Sequence, residues 1–261
     1  IKENNQEDII IRSSDSDLNI NNSNEEKYPL ELIIDQSNEQ FIIRIPESAQ
    51  EACILRQAET FPTTFEHAGY FISTGRVVEH RTRNYITEDT NSLCSVPLYR
   101  PHNITPLTAT WTGNHKKEVS FMLNNGHEKH TIKNGTFVLL KRFSSKNEKR
   151  RLVSGLHLKS THGTDFIGFG NKTNYIGLKD GTLTKTEAYG LSAIFNSSFM
   201  DQYFRCISGN TQVNATEIRV MKFPTREQVI KIGTQAQKLK TTETRKIDLI
   251  VNPILKIINI I

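Results

Sequence analysis

The sequence predicts an α/β segment followed by an α+β body, and three observations carry that reading. Charge is split: residues 1–58 hold 5 Lys/Arg against 12 Asp/Glu, a net of −7, whereas residues 59–261 hold 28 against 16, a net of +12. The first part contains short β-branched runs, EDIIIRS, YPLELIID and QFIIRIP, too few to close a core alone. The larger part runs through alternating strand patterns to about residue 178 and then turns helical.

Within the acidic part, the polar stretch 14–27 reads as a loop between the first two strands. Pro46 opens a helix over ESAQEACILRQAE, since proline is tolerated in a first turn. In the larger part, residues 64–67 suggest a short helix before Gly69, and Ser73, Thr74 and Gly75 a turn into a strand RVVEHR. Strands are expected at 98–99, 118–123, 135–143, 150–159 and 174–178, the third and fourth pairing as a hairpin across SSKNEK. Helices are expected over 187–198, 199–208 and 225–240, with a weaker one near Ile247 interrupted at Pro253. Asn214 and Glu217 have the spacing of a capping box.

Composition narrows the function classes. Apolar residues make up 36 % and charged residues 23 % of the 261, as in a soluble globular protein, and no run of about 18 apolar residues exists to span a membrane. The N-terminus carries neither Met nor a signal-peptide layout and reads as the cut end of a longer protein. Cys53, Cys94 and Cys206 are scattered, without a CxxC pair, which argues for a reducing compartment. His127 and His130 lack the HExxH spacing that would put both on one helical face. FIGFG at 166–170 matches F-x-G-x-G, but the strand-like sequel NKTNYIGL makes it a tight β connection rather than a phosphate turn. No catalytic or metal site is expected.

A basic body of this size points to a polyanion. KRFSSKNEKRR at 141–151 sets Lys141, Arg142, Lys146, Lys149, Arg150 and Arg151 against Glu148, with Phe143 alongside. Four phosphate contacts from such a hairpin give log K against log[salt] a slope near −3.6, at about −0.9 per contact. Phosphate contacts orient DNA without reading it; amides on adenine and arginines on guanine read it. Asn210, Thr211, Gln212 and Asn214, crowded between two apolar segments, are suitable groups. So are Arg76, Arg81 and Arg83 beside the STG turn.

FISTGRVVEHR at 71–81, the hairpin at 137–153, NKTNYI at 171–176 and FRCISGNTQVNATEIRVMKFP at 204–224 together resemble a known family. They are similar, over residues 40–245, to the C-terminal region of site-specific adenine DNA methyltransferases of restriction–modification systems. The last stretch also resembles the end of target-recognition domains in type I specificity subunits. The resemblance implies residues 1–58 as the last strands of a methyltransferase sheet, 59–245 as the target-recognition domain and 246–261 as a tail. It implies double-stranded DNA and an upstream catalytic domain as partners, S-adenosylmethionine as the parent enzyme's cofactor, and a prokaryotic cytoplasm. NPIL at 252–255 lacks the second proline and aromatic of the family's N-P-P-aromatic motif. The rival readings are a specificity subunit without a catalytic domain and an RNA-binding domain.

Overall fold

FVLLK and TNYIGL carry adjacent apolar residues, and successive strand residues point to opposite faces, so both faces of these strands need cover. In the computed structural model, which describes residues 8–13, 24–35, 42–144 and 147–258, both faces are covered. The strands in chain order are β1 (Asp8–Ser13), β2 (Asn24–Pro29), β3 (Thr63–Thr64), β4 (Tyr70–Thr74), β5 (Ile86–Thr87), β6 (Ser95–Tyr99), β7 (Ile104–Thr105) and β8 (Thr108–Ala109). They continue with β9 (Ser120–Met122), β10 (Thr131–Lys133), β11 (Phe137–Lys141), β12 (Ser154–His157), β13 (Phe166–Phe169), β14 (Thr173–Leu178) and β15 (Lys222–Phe223). The helices are α1 (Leu30–Ile33), α2 (Ala49–Glu59), α3 (Lys185–Phe195), α4 (Ser198–Ile207), α5 (Ala215–Val220), α6 (Arg226–Ala236) and α7 (Thr244–Leu255).

The central sheet has the order β12-β11-β14-β4, antiparallel throughout. Val138, Leu140 and Ile176 enter a large core with the helices, while Leu139 and Tyr175 join Tyr99, Ile167 and Phe169 on the opposite side. That side meets a second sheet, β10-β13-β6-β9-β5, in which only the β13–β6 pair is parallel. FIGFG lies in β13 and its exit turn, and the chain re-enters directly as β14, the tight β connection its sequel suggests. Gly168 packs on Leu98 and Gly170 on the Tyr99 carbonyl, so these glycines serve sheet contact.

Several expected elements take other forms. YPLELIID is strand only to Pro29; Leu32 and Ile33 are both buried, which a helical turn permits and strand alternation does not. The described residues of QFIIRIP, 42–46, contribute a single bridge between Ile34 and Ile43 rather than a strand. The α2 cap is Ser48, whose hydroxyl accepts from Glu51 N–H, so Pro46 precedes the helix instead of opening it. Residues 64–67 form the end of β3 and a turn. Around STG the order is reversed: the strand β4 precedes Gly75, and RVVEHR forms only a bridge from Val77 to Gly170 before turning at Val78. A side chain at position 75 would sit 2.3 Å from the Gly170 carbonyl oxygen, so this glycine permits backbone contact. The segments 14–23 and 36–41, which include parts of the expected loop and third strand, lie outside the described residues.

No separate core marks residue 58. Ala52, Ile54, Leu55 and Ala58 of α2 share one cluster with α3, α4 and α6. Buried Arg44 ties the preceding segment to α2 by ion pairs to Asp35 (2.9 Å) and Glu59. The expected tail is instead α7, which contributes Ile247, Val251 and Leu255 to that core and continues past Pro253.

Helices α3 and α6 touch through two glycines. A Cβ at Gly190 would meet the Val229 carbonyl oxygen at 2.0 Å, and one at Gly233 the Thr186 carbonyl oxygen at 1.9 Å. Gly190→Ala or Gly233→Ala therefore forces the helices apart and destabilises by about 3 kcal/mol or more, read as a lowered denaturant midpoint.

Between the two sheets, Asn134 Nδ2 donates to the carbonyls of Thr164 (2.8 Å) and His162 (3.2 Å). Its Oδ1 therefore accepts from Nε2–H of buried His157 (3.0 Å), whose Nδ1 accepts from the Tyr99 hydroxyl (3.2 Å). This arrangement needs neutral His157, and burial, helped by nearby His162, pushes its pKa down from 6.5 to about 3. The unfolded chain binds this proton first, so the network's contribution is complete above pH 6.5 and erodes between 6.5 and 3. The loss amounts to about 1.4 kcal/mol per pH unit. Thermal midpoints of wild type and His157→Gln, followed across that window, should converge on acidification.

Candidate nucleic-acid interface

Three segments that are far apart in sequence meet at one end of the central sheet. The strand β4 ends at Thr74, β11 ends at Lys141, and β14 begins at Thr173, with Lys141 opposite Thr173 and Asn174 opposite Thr74. The chain leaving β11 then pairs with the amide-rich loop: Val213 N–H donates to the Arg142 carbonyl (2.6 Å), Ser144 N–H to the Thr211 carbonyl (3.1 Å), and Phe143 bridges Gln212. Buried Asn174 binds both neighbours, accepting from the Thr74 hydroxyl (3.0 Å) and donating to the Val213 carbonyl (2.8 Å).

The result is an open groove of ≈ 590 Å³ lined by Ser73, Thr74, Arg142, Asn214, Glu217 and Arg219, among others. Arg142 donates to the Asn171 carbonyl (3.1 Å) and lies over the ring of Phe143, which is 45 % exposed. Arg219 donates to the Ile72 carbonyl (3.0 Å). Hydroxyls, amides and two guanidiniums thus converge with one carboxylate, a surface suited to phosphates and base edges.

The expected residues divide. Arg142 and Asn214 line the groove; Asn210, Thr211 and Gln212 belong to the loop at its rim, with Asn210 and Thr211 exposed. Arg76 is exposed, but its guanidinium donates to the Thr131 carbonyl (3.3 Å) beside β10. Lys141 is half-buried at the end of β11. Lys146 lies outside the described residues. Lys149 is exposed and, with Arg150, lines a separate cavity of ≈ 870 Å³ where Arg205 and Arg245 face Glu51, Asp201 and Glu243.

Two of the hairpin's cations serve the fold, which corrects the reading of all six as one phosphate-binding cluster. Arg150 donates to the Thr244 hydroxyl (2.8 Å) and the Ser197 carbonyl (3.0 Å), joining the hairpin to the starts of α7 and α4. Arg151 is 1 % exposed. Its guanidinium donates to Ser144 Oγ (3.2 Å) and to the carbonyls of Ser208 (2.8 Å) and Asn210, and lies 5.0 Å from the Phe204 ring centroid. Both residues precede β12 in an irregular stretch and both guanidiniums turn toward protein acceptors, so charge density along the sequence overstated the charge offered to solvent.

Asn214 also departs from expectation. It occupies the N-cap position of α5, yet its side chain makes no capping bond; Nδ2 donates instead to Glu217 Oε1 (3.3 Å). Sequence reasoning passed over Arg219 and Glu217 as site residues. The helical spacing from Asn214 offered a signal, since i+3 places Glu217 beside it and Arg219 follows within the next turn.

No family model matches the chain. Two curated relatives do: the type II methyltransferase M.PstI of Providencia stuartii, 34 % identical over 88 % of this chain, and the type II methyltransferase M.BsuBI of Bacillus subtilis, 34 % identical over 87 %. The chain is homologous to type II methyltransferases. It spans 45 % of the length of each relative. Among solved structures, the type IIG restriction endonuclease BpuSI shares the fold at a TM-score of 0.51 and 10 % identity, over 95 % of this chain and 35 % of that one. The resemblance read from the separated motifs thus holds over nearly the whole chain.

Arg151 generates a prediction. Its removal leaves the carbonyls of Ser208 and Asn210 without donors inside the hairpin base. Arg151→Met should cost about 3 kcal/mol or more in urea unfolding, as expected for breaking a buried charged network from one side.

Proposed function

We propose that this chain is the target-recognition region of a site-specific adenine DNA methyltransferase of a restriction–modification system. It binds duplex DNA and presents a site to a catalytic domain elsewhere in the parent protein. The observation that carries this reading is the groove. Arg142, Asn214, Thr74 and Arg219 come from three remote segments and are held together by main-chain pairing, and homology to type II methyltransferases gives the groove a setting. In the parent, the recognition body takes in α2 and α7, which share its core, and the acidic segment before α2 leads toward the catalytic sheet.

The division of labour follows from DNA chemistry. The adenine amino group is out of reach inside the stack, so the target nucleotide must be flipped into a catalytic pocket. The recognition region supplies the opposite wall and chooses the site. Arg142 and Arg219 supply charge inside the groove; Arg76, Lys141 and Lys149 add cations outside it. The amide-rich rim at Asn210, Thr211, Gln212 and Asn214 faces base edges. S-adenosylmethionine would supply the methyl group from the parent's catalytic part. The glycines of FIGFG are packed inside the sheets and do not fit that cofactor.

Retention of labelled duplex DNA at stepped salt concentrations tests this function. The chain should bind with a log–log slope of about −2 to −4, and Arg142→Ala should shrink the slope by about 0.9. Lys231→Ala, on the exposed face of α6, should leave it unchanged. Absence of retention at low salt would sink the proposal.

A further inference from the structure

We propose that Glu217 is a positioning residue that fixes the side-chain amides of Asn210 and Asn214 so that they read the major-groove edge of adenine. The inference rests on the proposed function and deepens it by naming what the groove's rim recognises. Its root is one juxtaposition: Glu217 Oε1 accepts from Nδ2 of Asn210 (3.3 Å) and from Nδ2 of Asn214 (3.3 Å).

A carboxylate accepts and cannot donate. Beside it, each amide has a single favourable orientation, NH₂ toward Glu217 and carbonyl oxygen away. Each then keeps its Oδ1 and its second N–H unspent, since neither side chain makes another hydrogen bond among the described residues. An acceptor beside a donor on one planar group is the complement of adenine's N6–H and N7, the pairing Asn makes bidentately. It does not complement guanine, which presents two acceptors there.

Two further features are otherwise unexplained. Asn214 stands at an N-cap and forgoes the capping bond, which ordinarily contributes about 1 kcal/mol. A local rule broken without local gain is a mark of a functional position. Glu217 is itself an anion in a groove proposed to accept a polyanion, where it works against affinity. A carboxylate kept there is accounted for by fixing its neighbours. Its second oxygen is enclosed without a hydrogen-bond partner among the described residues, so it is not the group that meets DNA.

The test is selection of duplexes from a randomised pool by the wild-type chain and by Glu217→Gln, with retention of a fixed unrelated duplex and thermal midpoint measured alongside. Glutamine keeps the size of glutamate but offers both a donor and an acceptor, which frees the amides to flip. Wild type should enrich a motif containing adenine. Glu217→Gln should lose preference for that adenine by about tenfold, with the midpoint held and the unrelated duplex bound at least as tightly, because a charge that opposes phosphate is removed. Unchanged preference in Glu217→Gln overturns the inference, as does uniform weakening on every duplex, which marks a structural role. A wild-type chain that retains duplex DNA but enriches no adenine overturns this inference and leaves duplex binding standing; one that retains none overturns both. Asn210→Ala and Asn214→Ala provide a second route should Glu217→Gln fail to fold: loss of the same preference in either supports the reading, and retention in both overturns it.

Discussion

Asp201 holds the hairpin to the helices, and the geometry of the groove depends on that contact. Its Oδ1 accepts the backbone N–H groups of Arg151 (2.8 Å) and Leu152 (2.7 Å), and its Oδ2 pairs with Arg205 (3.0 Å). Two successive N–H groups on one carboxylate oxygen fix where the returning strand meets α4. With its backbone anchored, Arg151 has one direction to extend, across the hairpin to Ser144 and the carbonyls of Ser208 and Asn210. Those carbonyls begin the loop that pairs with residues 142–144. A buried charge of this kind is costly to desolvate and is retained where it satisfies several acceptors that nothing else reaches.

The same economy continues into β12. Ser154 of β12, together with Ser192 of α3 and Asn196 at its C-cap, forms a buried polar network in which Asn196 Nδ2 donates to the carbonyls of Ser154 and Ser192, both at 2.7 Å. Polar contacts of defined geometry, rather than apolar area alone, thus set the register between sheet and helices. The apolar faces supply the bulk of the stability. The polar links specify which end of the sheet is left open, and that end carries the groove.

The elements most legible in sequence were those whose pattern and burial agree. The hairpin of β11 and β12, the strand β14 and the helices α3, α4 and α6 all follow their periodicity. α3 and α6 carry capping boxes at Thr184 and Thr225, and Ser197 caps α4 by accepting from Met200 N–H. What misled were positions where tertiary contact chose the local form. RVVEHR has strand composition, but Gly75 must lie on Gly170, so the pairing ends after Val77. The site was half legible. Residue types pointed to the hairpin and the SGNTQVN loop; their meeting through Phe143 and Gln212 follows from topology, which periodicity does not encode. Nor does a run of basic letters reveal which are solvated: Arg142 and Arg151 read alike, and only packing separates them.

That separation bears on how such a groove can be selective. A rim bearing six free cations would hold any duplex and gain little from the correct one, because phosphate contacts are indifferent to sequence. Here Arg150 and Arg151 are turned inward, and Glu217 offsets part of the charge that Arg142 and Arg219 bring. The net +12 of residues 59–261 acts at a distance, drawing a polyanion toward the body without fixing its register. Modest charge in the groove raises the relative weight of the amides at its rim. Discrimination by a few directional hydrogen bonds, each worth about 1–3 kcal/mol, is visible only when the indifferent background is kept low. On the proposed reading the inward arginines therefore serve both ends: they lock the loop that carries the amides, and they withdraw charge that would blur what the amides are proposed to read.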